Sequence, residues 1–151
     1  MLLLICSTIL AFLFSFVAPR RLSWIEILVT TWFGLYFEAM VNIFLDLKYD
    51  LYGYFEKGVD WISLLPLLGM YPPLNYLVLN LFPSGKGIIR IALYLIIWDA
   101  FSVAYEQLAI RCGVFYYNGW TWWYSAIVYP PIFLALRFHL HLAQTLIRKS
   151  R

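Results

Sequence analysis

Leu22-Ser-Trp-Ile-Glu26-Ile-Leu-Val-Thr30-Thr-Trp-Phe-Gly34-Leu-Tyr-Phe-Glu38-Ala-Met-Val-Asn42-Ile-Phe-Leu45 decides how this chain folds. The stretch exceeds the roughly 20 apolar residues that a bilayer crossing takes. Yet Glu26, Thr30, Gly34, Glu38, Asn42 and then Asp46 recur at every fourth position. Residues four apart are neighbours on a helix, so the six form one connected ridge. A carboxylate inside an apolar span is costly unless it faces protein or water. Another part of the chain must therefore meet the ridge. Each step of four drifts about 40° around the helix. The ridge thus divides into two sites at two depths, Glu26 near one end and Glu38, Asn42 and Asp46 near the other.

The rest of the composition agrees with a membrane span. Of 151 residues, 64% are hydrophobic and 13% charged, with a mean hydropathy of +0.78. Soluble domains run at about 45–50% apolar and about 25% charged. The fold class expected is an all-α membrane protein, one helical bundle with no soluble domain. A net charge of +3, scattered along the chain, excludes nucleic acid as a partner. Cys6 and Cys112 form no Cys-x-x-Cys pair, no His or Cys cluster has metal spacing, and no cofactor motif occurs. A Cys6–Cys112 disulfide would require both residues at one membrane face.

Five spans follow, at about 2–18, 22–45, 61–82, 88–110 and 124–147. The first has its basic pair, Arg20-Arg21, after the apolar run, so it is read as a retained helix and not as a signal peptide. Pro19 ends it. Pro83-Ser-Gly-Lys-Gly87 is a tight turn; Pro66 and Pro72-Pro73 interrupt span three, and span five contains Pro130-Pro131, where paired prolines either kink a helix or open it beside a cavity. Arg20, Arg21, Lys86, Arg90, Arg148, Lys149 and Arg151 fall on one side; Lys48, Lys57 and Arg111 fall on the other. The positive-inside rule then puts the amino end outside and the carboxyl end in the cytoplasm.

This topology places two aromatic loops on the outer face. One carries Tyr49, Tyr52, Tyr54 and Phe55 before Trp61, with Gly53 and Gly58 as turn residues and Asp60 at its end; the other carries Phe115, Tyr116, Tyr117, Trp120, Trp122, Trp123 and Tyr124. An interfacial anchor belt accounts for them, because Trp and Tyr favour the boundary between apolar and wet. The functional alternative is a lid over a cavity opening outward, or a platform for lipid headgroups. A weak repeat also runs through the chain: Trp61-x-Ser63 leads to Tyr71-Pro72-Pro73, and Trp123-x-Ser125 leads to Tyr129-Pro130-Pro131. Spans two to five then read as two parallel copies of one hairpin after a separate first helix.

Tyr71-Pro-Pro-Leu-Asn75, Trp98 to Glu106, Phe115-Tyr-Tyr-Asn-Gly-Trp120 and Trp123-Tyr-Ser125 through Tyr129-Pro130 carry a resemblance. They resemble a family of small, uncharacterised multi-pass membrane proteins from spore-forming Gram-positive bacteria, over roughly Thr30 to the carboxyl end. The resemblance implies an integral protein of a bacterial cell membrane. It brings no activity and no functional residues.

Depth along the helices singles out the polar residues. Glu38 lies ~24 Å from the inner edge of span two, and Glu106 ~27 Å from that of span four. Two carboxylates at one height, with Asn42, Asp46 and Tyr105 nearby, suit a shared proton or a bound cation. Separate hydrogen bonds to Ser, Thr, Tyr or backbone would satisfy them without any function. Asp99 is expected near the midplane, level with Arg137, where a buried ion pair would fix how spans four and five dock. Glu26, His141 and Asn75 are secondary: Glu26 near Arg90, His141 or interfacial water, and Asn75 beside carbonyls freed by the prolines. No Ser, His and Asp set has the spacing of a nucleophilic triad. Three classes of function remain. They are a binding or transport-type protein handling a proton, cation or lipid-like molecule, an accessory subunit docking another membrane protein or a second copy, and an intramembrane enzyme on a lipidic substrate using Glu38 and Glu106. Besides the bilayer no partner is specified.

Overall fold

Pro19, the Pro83–Gly87 turn and the two aromatic loops cut the apolar sequence into helices in the computed structural model, which describes residues 1–55 and 61–150. Lys57, Gly58, Asp60 and Arg151, used above as loop and charge markers, lie outside the described residues. Helix α1 is Leu2–Val17 and α2 is Trp24–Asn42, extended by a wider π-helical stretch over Ile43–Lys48. A short strand β1, Tyr52–Tyr54, follows. The third span opens with Trp61–Ser63 and a π-helical stretch, Leu65–Met70, before α3, Tyr71–Asn80. Helix α4 is Ile88–Arg111, strand β2 is Phe115–Tyr117, and α5 is Trp122–Lys149.

Four of these segments, Trp24–Lys48, Trp61–Asn80, Ile88–Arg111 and Trp122–Lys149, are long and apolar enough to cross a membrane. Helix α1, with 16 residues, is only ~24 Å long against the ~30 Å of a hydrocarbon core. The paired prolines behave differently in the two spans that hold them. Pro72 and Pro73 lie in the first turn of α3, where missing N–H groups are tolerated, and the preceding turns widen to the π form. Pro130 and Pro131 sit inside an unbroken α5. Span five is therefore continuous.

Ser23 and Glu26 start α2 as a capping box. Glu26 Oε2 accepts from the Ser23 N–H at 2.6 Å, and Ser23 Oγ accepts from the Glu26 N–H at 3.3 Å. Glu26 also meets Gln144 and the charge of Arg148 on α5. Its partners are these, not Arg90 or His141, because a cap satisfies the orphan N–H groups of the first turn. Beyond it, Thr30 and Gly34 are buried. A Cβ at Gly34 would overlap the Asn75 amide, so the missing side chain is what brings α2 against α3.

Helix α2 packs on α3 and α5, α4 packs on α5, and α1 packs on α3 and the turns before it. The ridge of α2 thus meets α3 and α5 and not α4, as the sequence had suggested. Two apolar clusters close the bundle at opposite ends. Leu4, Met70, Ala109 and Val114 gather near the strands, whereas Leu22, Leu79, Leu136 and Leu140 gather near the basic connections.

At that basic end Asn80, 1% exposed, fastens the α1–α2 link. Its Oδ1 accepts from the Arg21 N–H at 2.8 Å and its Nδ2 donates to the Pro19 carbonyl at 3.0 Å. Asn80→Ala strands two backbone groups and is expected to cost about 2–3 kcal/mol. Reversible unfolding in mixed detergent micelles measures this, and a loss below about 0.5 kcal/mol would show that the link holds without Asn80.

Candidate functional site

The two aromatic loops pair. β1 and β2 form an antiparallel ribbon with Tyr52 opposite Tyr117, Gly53 opposite Tyr116 and Tyr54 opposite Phe115. A Cβ on Gly53 would stand 2.5 Å from the Tyr116 hydroxyl, so glycine there lets the Tyr116 side chain lie across the ribbon. The pleat aims Tyr52, Tyr54 and Phe115 together, and the Tyr52 and Tyr54 rings pack on Phe115 with centroids 5.3 and 5.1 Å apart.

Beneath the ribbon is a cavity of about 1030 Å³. All five helices contribute to its wall, which is mostly apolar, from Leu10, Phe14 and Val41 to Ile97, Phe101 and Phe133. Its polar groups are concentrated below the ribbon. Glu106, 6% exposed, accepts hydrogen bonds from three hydroxyls. Tyr117 and Ser125 donate to Oε1, the latter at 2.8 Å, and Tyr129 donates to Oε2 at 2.7 Å. Behind them, Trp120 Nε1 donates to Ser125 Oγ at 2.8 Å and Gln107 Nε2 to the Tyr117 hydroxyl at 3.0 Å. Every bond that Glu106 accepts comes from a neutral group.

Glu38 has its own partners, the Tyr71 hydroxyl and the Asn42 side chain. Tyr71 in turn shares a 2.5 Å hydrogen bond with Tyr54, and Asn42 Oδ1 accepts from the Tyr52 hydroxyl at 3.1 Å. Tyr52 and Tyr54 therefore stand under the charges of both Glu38 and Glu106. Burial first, and then those charges, push both hydroxyls well above the ordinary phenol range. Burial and the Glu106 carboxylate do the same to Tyr117.

Each carboxylate is bound by the tyrosine of the Tyr-Pro-Pro segment in the following helix: Tyr71 serves Glu38, and Tyr129 serves Glu106. Tyr54, Tyr71, Tyr117, Ser125 and Tyr129 were not singled out as site residues from the sequence. The repeated Tyr-Pro-Pro held the signal for two of them.

Other expected site residues fall elsewhere. Asp46 is not on the cavity wall, because the π-helical stretch over Ile43–Lys48 breaks the spacing of four after Asn42. Tyr105 lines the cavity but ties α4 to α1, its hydroxyl 2.7 Å from Ser7 Oγ. Asn75 lines the cavity against Gly34, and His141 is exposed. Cys6 and Cys112 are free and exposed.

The expected Asp99–Arg137 ion pair is not formed. Asp99 Oδ1 is buried without a hydrogen-bond partner among the described residues. The Arg137 guanidinium instead lies 5.2 Å from the centre of the Phe82 ring. The reason is that α5 runs for 28 residues, to Lys149, so counting from the end of span five at 147 misplaces the height of Arg137. Arg137 is then level with Arg21 and Phe82 in the connections, while Asp99 is ~16 Å further along α4.

No protein family, curated protein or solved structure matches this chain. What the site can do must come from its own chemistry. Among the described residues that line the cavity there is no lysine, arginine or histidine, although there are two carboxylates.

Proposed function

We propose that this chain is a five-span membrane protein that binds, and passes along, a lipid-like molecule with a positively charged head. The observation that carries this reading is the pairing of a large apolar cavity with two carboxylates and no basic side chain among the described residues of its wall. A volume of about 1030 Å³ matches the upper range of small-molecule sites. An alkyl tail suits the Leu, Ile and Phe wall, and an amine suits the carboxylate end, where a charged donor finds two acceptors in a medium of low polarity.

Access from the side also supports a lipidic ligand. Exposed α1 residues Leu10, Phe14 and Val17 and exposed α4 residues Ile97 and Phe101 all border the cavity. The Ser7–Tyr105 hydrogen bond joins these two helices near the ribbon. A slot between α1 and α4 admits a tail directly from the hydrocarbon. In the same proposal the ribbon faces outward and the carboxyl end lies in the cytoplasm. The resemblance to membrane proteins of spore-forming bacteria adds a bacterial cell membrane. The Glu38–Tyr71 and Glu106–Tyr129 pairs make α2–α3 and α4–α5 two copies of one hairpin after α1.

The test uses dodecylamine and dodecanol as probes with the full chain in neutral-lipid nanodiscs. Dodecylamine is expected to bind at least tenfold more tightly than dodecanol, and Glu38→Gln is expected to remove most of that preference, as loss of one charge-assisted bond does. Equal binding of the two probes, or an unchanged preference in Glu38→Gln, would overturn the proposal. Glu38 is the position to change because its carboxylate holds fewer protein groups than that of Glu106.

A further inference from the structure

At the opposite end of the bundle lies a second, smaller pocket of about 300 Å³, walled by the α1–α2 link, the α3–α4 turn and α5. Among the described residues that line it, the charged ones are Arg21, Lys86 and Arg137, and none is a carboxylate. Like charges gathered around one hollow repel each other, and burial weakens the screening that would make this harmless. Arg21 and Lys86 are exposed and can turn their charges to water, whereas the Arg137 guanidinium is held in place. Arg21 is fixed through its backbone N–H by the buried Asn80. Arg137 projects from the α5 helix and lies over Phe82, a ring that is itself 7% exposed and set edge-on to Tyr94.

A guanidinium lying over a ring still has the N–H donors in its own plane, and among the described residues that line the pocket with Arg137 none is acidic. The apolar floor, Leu22, Leu79 and Leu140, contributes shape and no counter-charge. Ser84 and Gln144 at the same wall add neutral polar groups. Arginines held in this way suit tetrahedral oxyanions, whose oxygens match the guanidinium fork.

We infer that this pocket is a phosphate-group site formed by Arg21, Lys86 and Arg137. It is independent of the carboxylate cavity in residues and in ligand charge. The phosphate can belong to an anionic lipid headgroup, as basic pockets between membrane helices bind, or to inorganic phosphate from solution.

Two arms distinguish these sources. In phosphatidylcholine nanodiscs, inorganic phosphate is titrated against the full chain and followed by phosphorus NMR. In a parallel series, phosphatidic acid is introduced into the discs and lipid retained on the protein is counted by native mass spectrometry. Saturable binding in the first arm identifies a free-phosphate site; retention of phosphatidic acid over phosphatidylcholine in the second alone identifies a headgroup site. In whichever arm binds, Arg137→Gln is expected to weaken binding about tenfold or more and Arg137→Lys to restore part of it. Lys86→Gln, in the exposed turn, gives the same test without touching the core and is expected to weaken binding about threefold. Binding in neither arm, or binding indifferent to Arg137→Gln and Lys86→Gln, would overturn the inference.

Discussion

Glu106→Ala is expected to be the most destabilising single change in the carboxylate cluster, at about 3–5 kcal/mol in reversible detergent unfolding. The variant removes the one acceptor shared by Tyr117, Ser125 and Tyr129. Hydrogen bonds to a charged group contribute about 1.5–3 kcal/mol each, and a stranded buried donor costs the desolvation it can no longer recover. Three such losses do not add fully, because the hydroxyls share one carboxylate and relax together. Glu106→Gln keeps an acceptor oxygen but turns an NH₂ toward a donor hydroxyl, and is expected to cost about 1–2 kcal/mol. Tyr129→Phe, which removes a single bond and leaves Oε1 occupied, should fall near 1 kcal/mol. An order in which Ala and Gln cost the same would show that the hydroxyls find other acceptors and that the cluster does not hold α4 to α5.

Of this cluster the sequence made Glu106 visible, as one of two acidic residues at similar depth, and the reasons Tyr117, Ser125 and Tyr129 were not visible are local. Depth by counting located Glu38 and Glu106 well, because α2 and α4 both begin at the basic connections. The same counting failed for Arg137, since α5 continues beyond that level and its final residue is a poor marker of the membrane edge. The spacing of four led from Glu38 to Asn42 correctly and to Asp46 wrongly, because a π-helical stretch changes the angle per residue at Ile43. Ser23-x-x-Glu26 carried a plain capping-box signal.

The partner of the ridge was the larger miss. Two acidic helices suggested that α2 faces α4, but a glycine marks where a helix is approached, and Gly34 meets Asn75 on α3. The carboxylates then reach each other's surroundings only through tyrosines brought by the ribbon and the Tyr-Pro-Pro segments. Pairing between two loops more than 60 residues apart leaves no periodic trace in either, so the ribbon had no signature beyond its aromatic content.

Gly53→Val should have the second-largest effect, and it acts through that ribbon. Even the first carbon of a side chain at position 53 would stand 2.5 Å from the Tyr116 hydroxyl and 2.7 Å from the ring carbon bearing it. The valine must therefore displace the Tyr116 ring or part the strands, and overpacking of this kind costs about 1–3 kcal/mol. Parting the strands moves Tyr52 away from Asn42 and Tyr54 away from Tyr71, so the carboxylate cavity loses two bonded tyrosines together. The consequence can be read in alkaline solution. In the native protein Tyr52, Tyr54 and Tyr117 are buried beside carboxylates and keep their protons above the ordinary phenol value of about 10. Unfolded tyrosines release theirs at about pH 10, so the stability these three contribute is complete below that pH and is lost as pH rises through their higher folded values. Tyrosinate absorbance of the wild type should accordingly show a late-ionising group that shrinks in Tyr52→Phe and Tyr54→Phe. In Gly53→Val the same group should ionise close to pH 10 while the helical circular dichroism stays unchanged at neutral pH. A late group that persists in Gly53→Val would mean that the helices hold these tyrosines against the carboxylates without the ribbon.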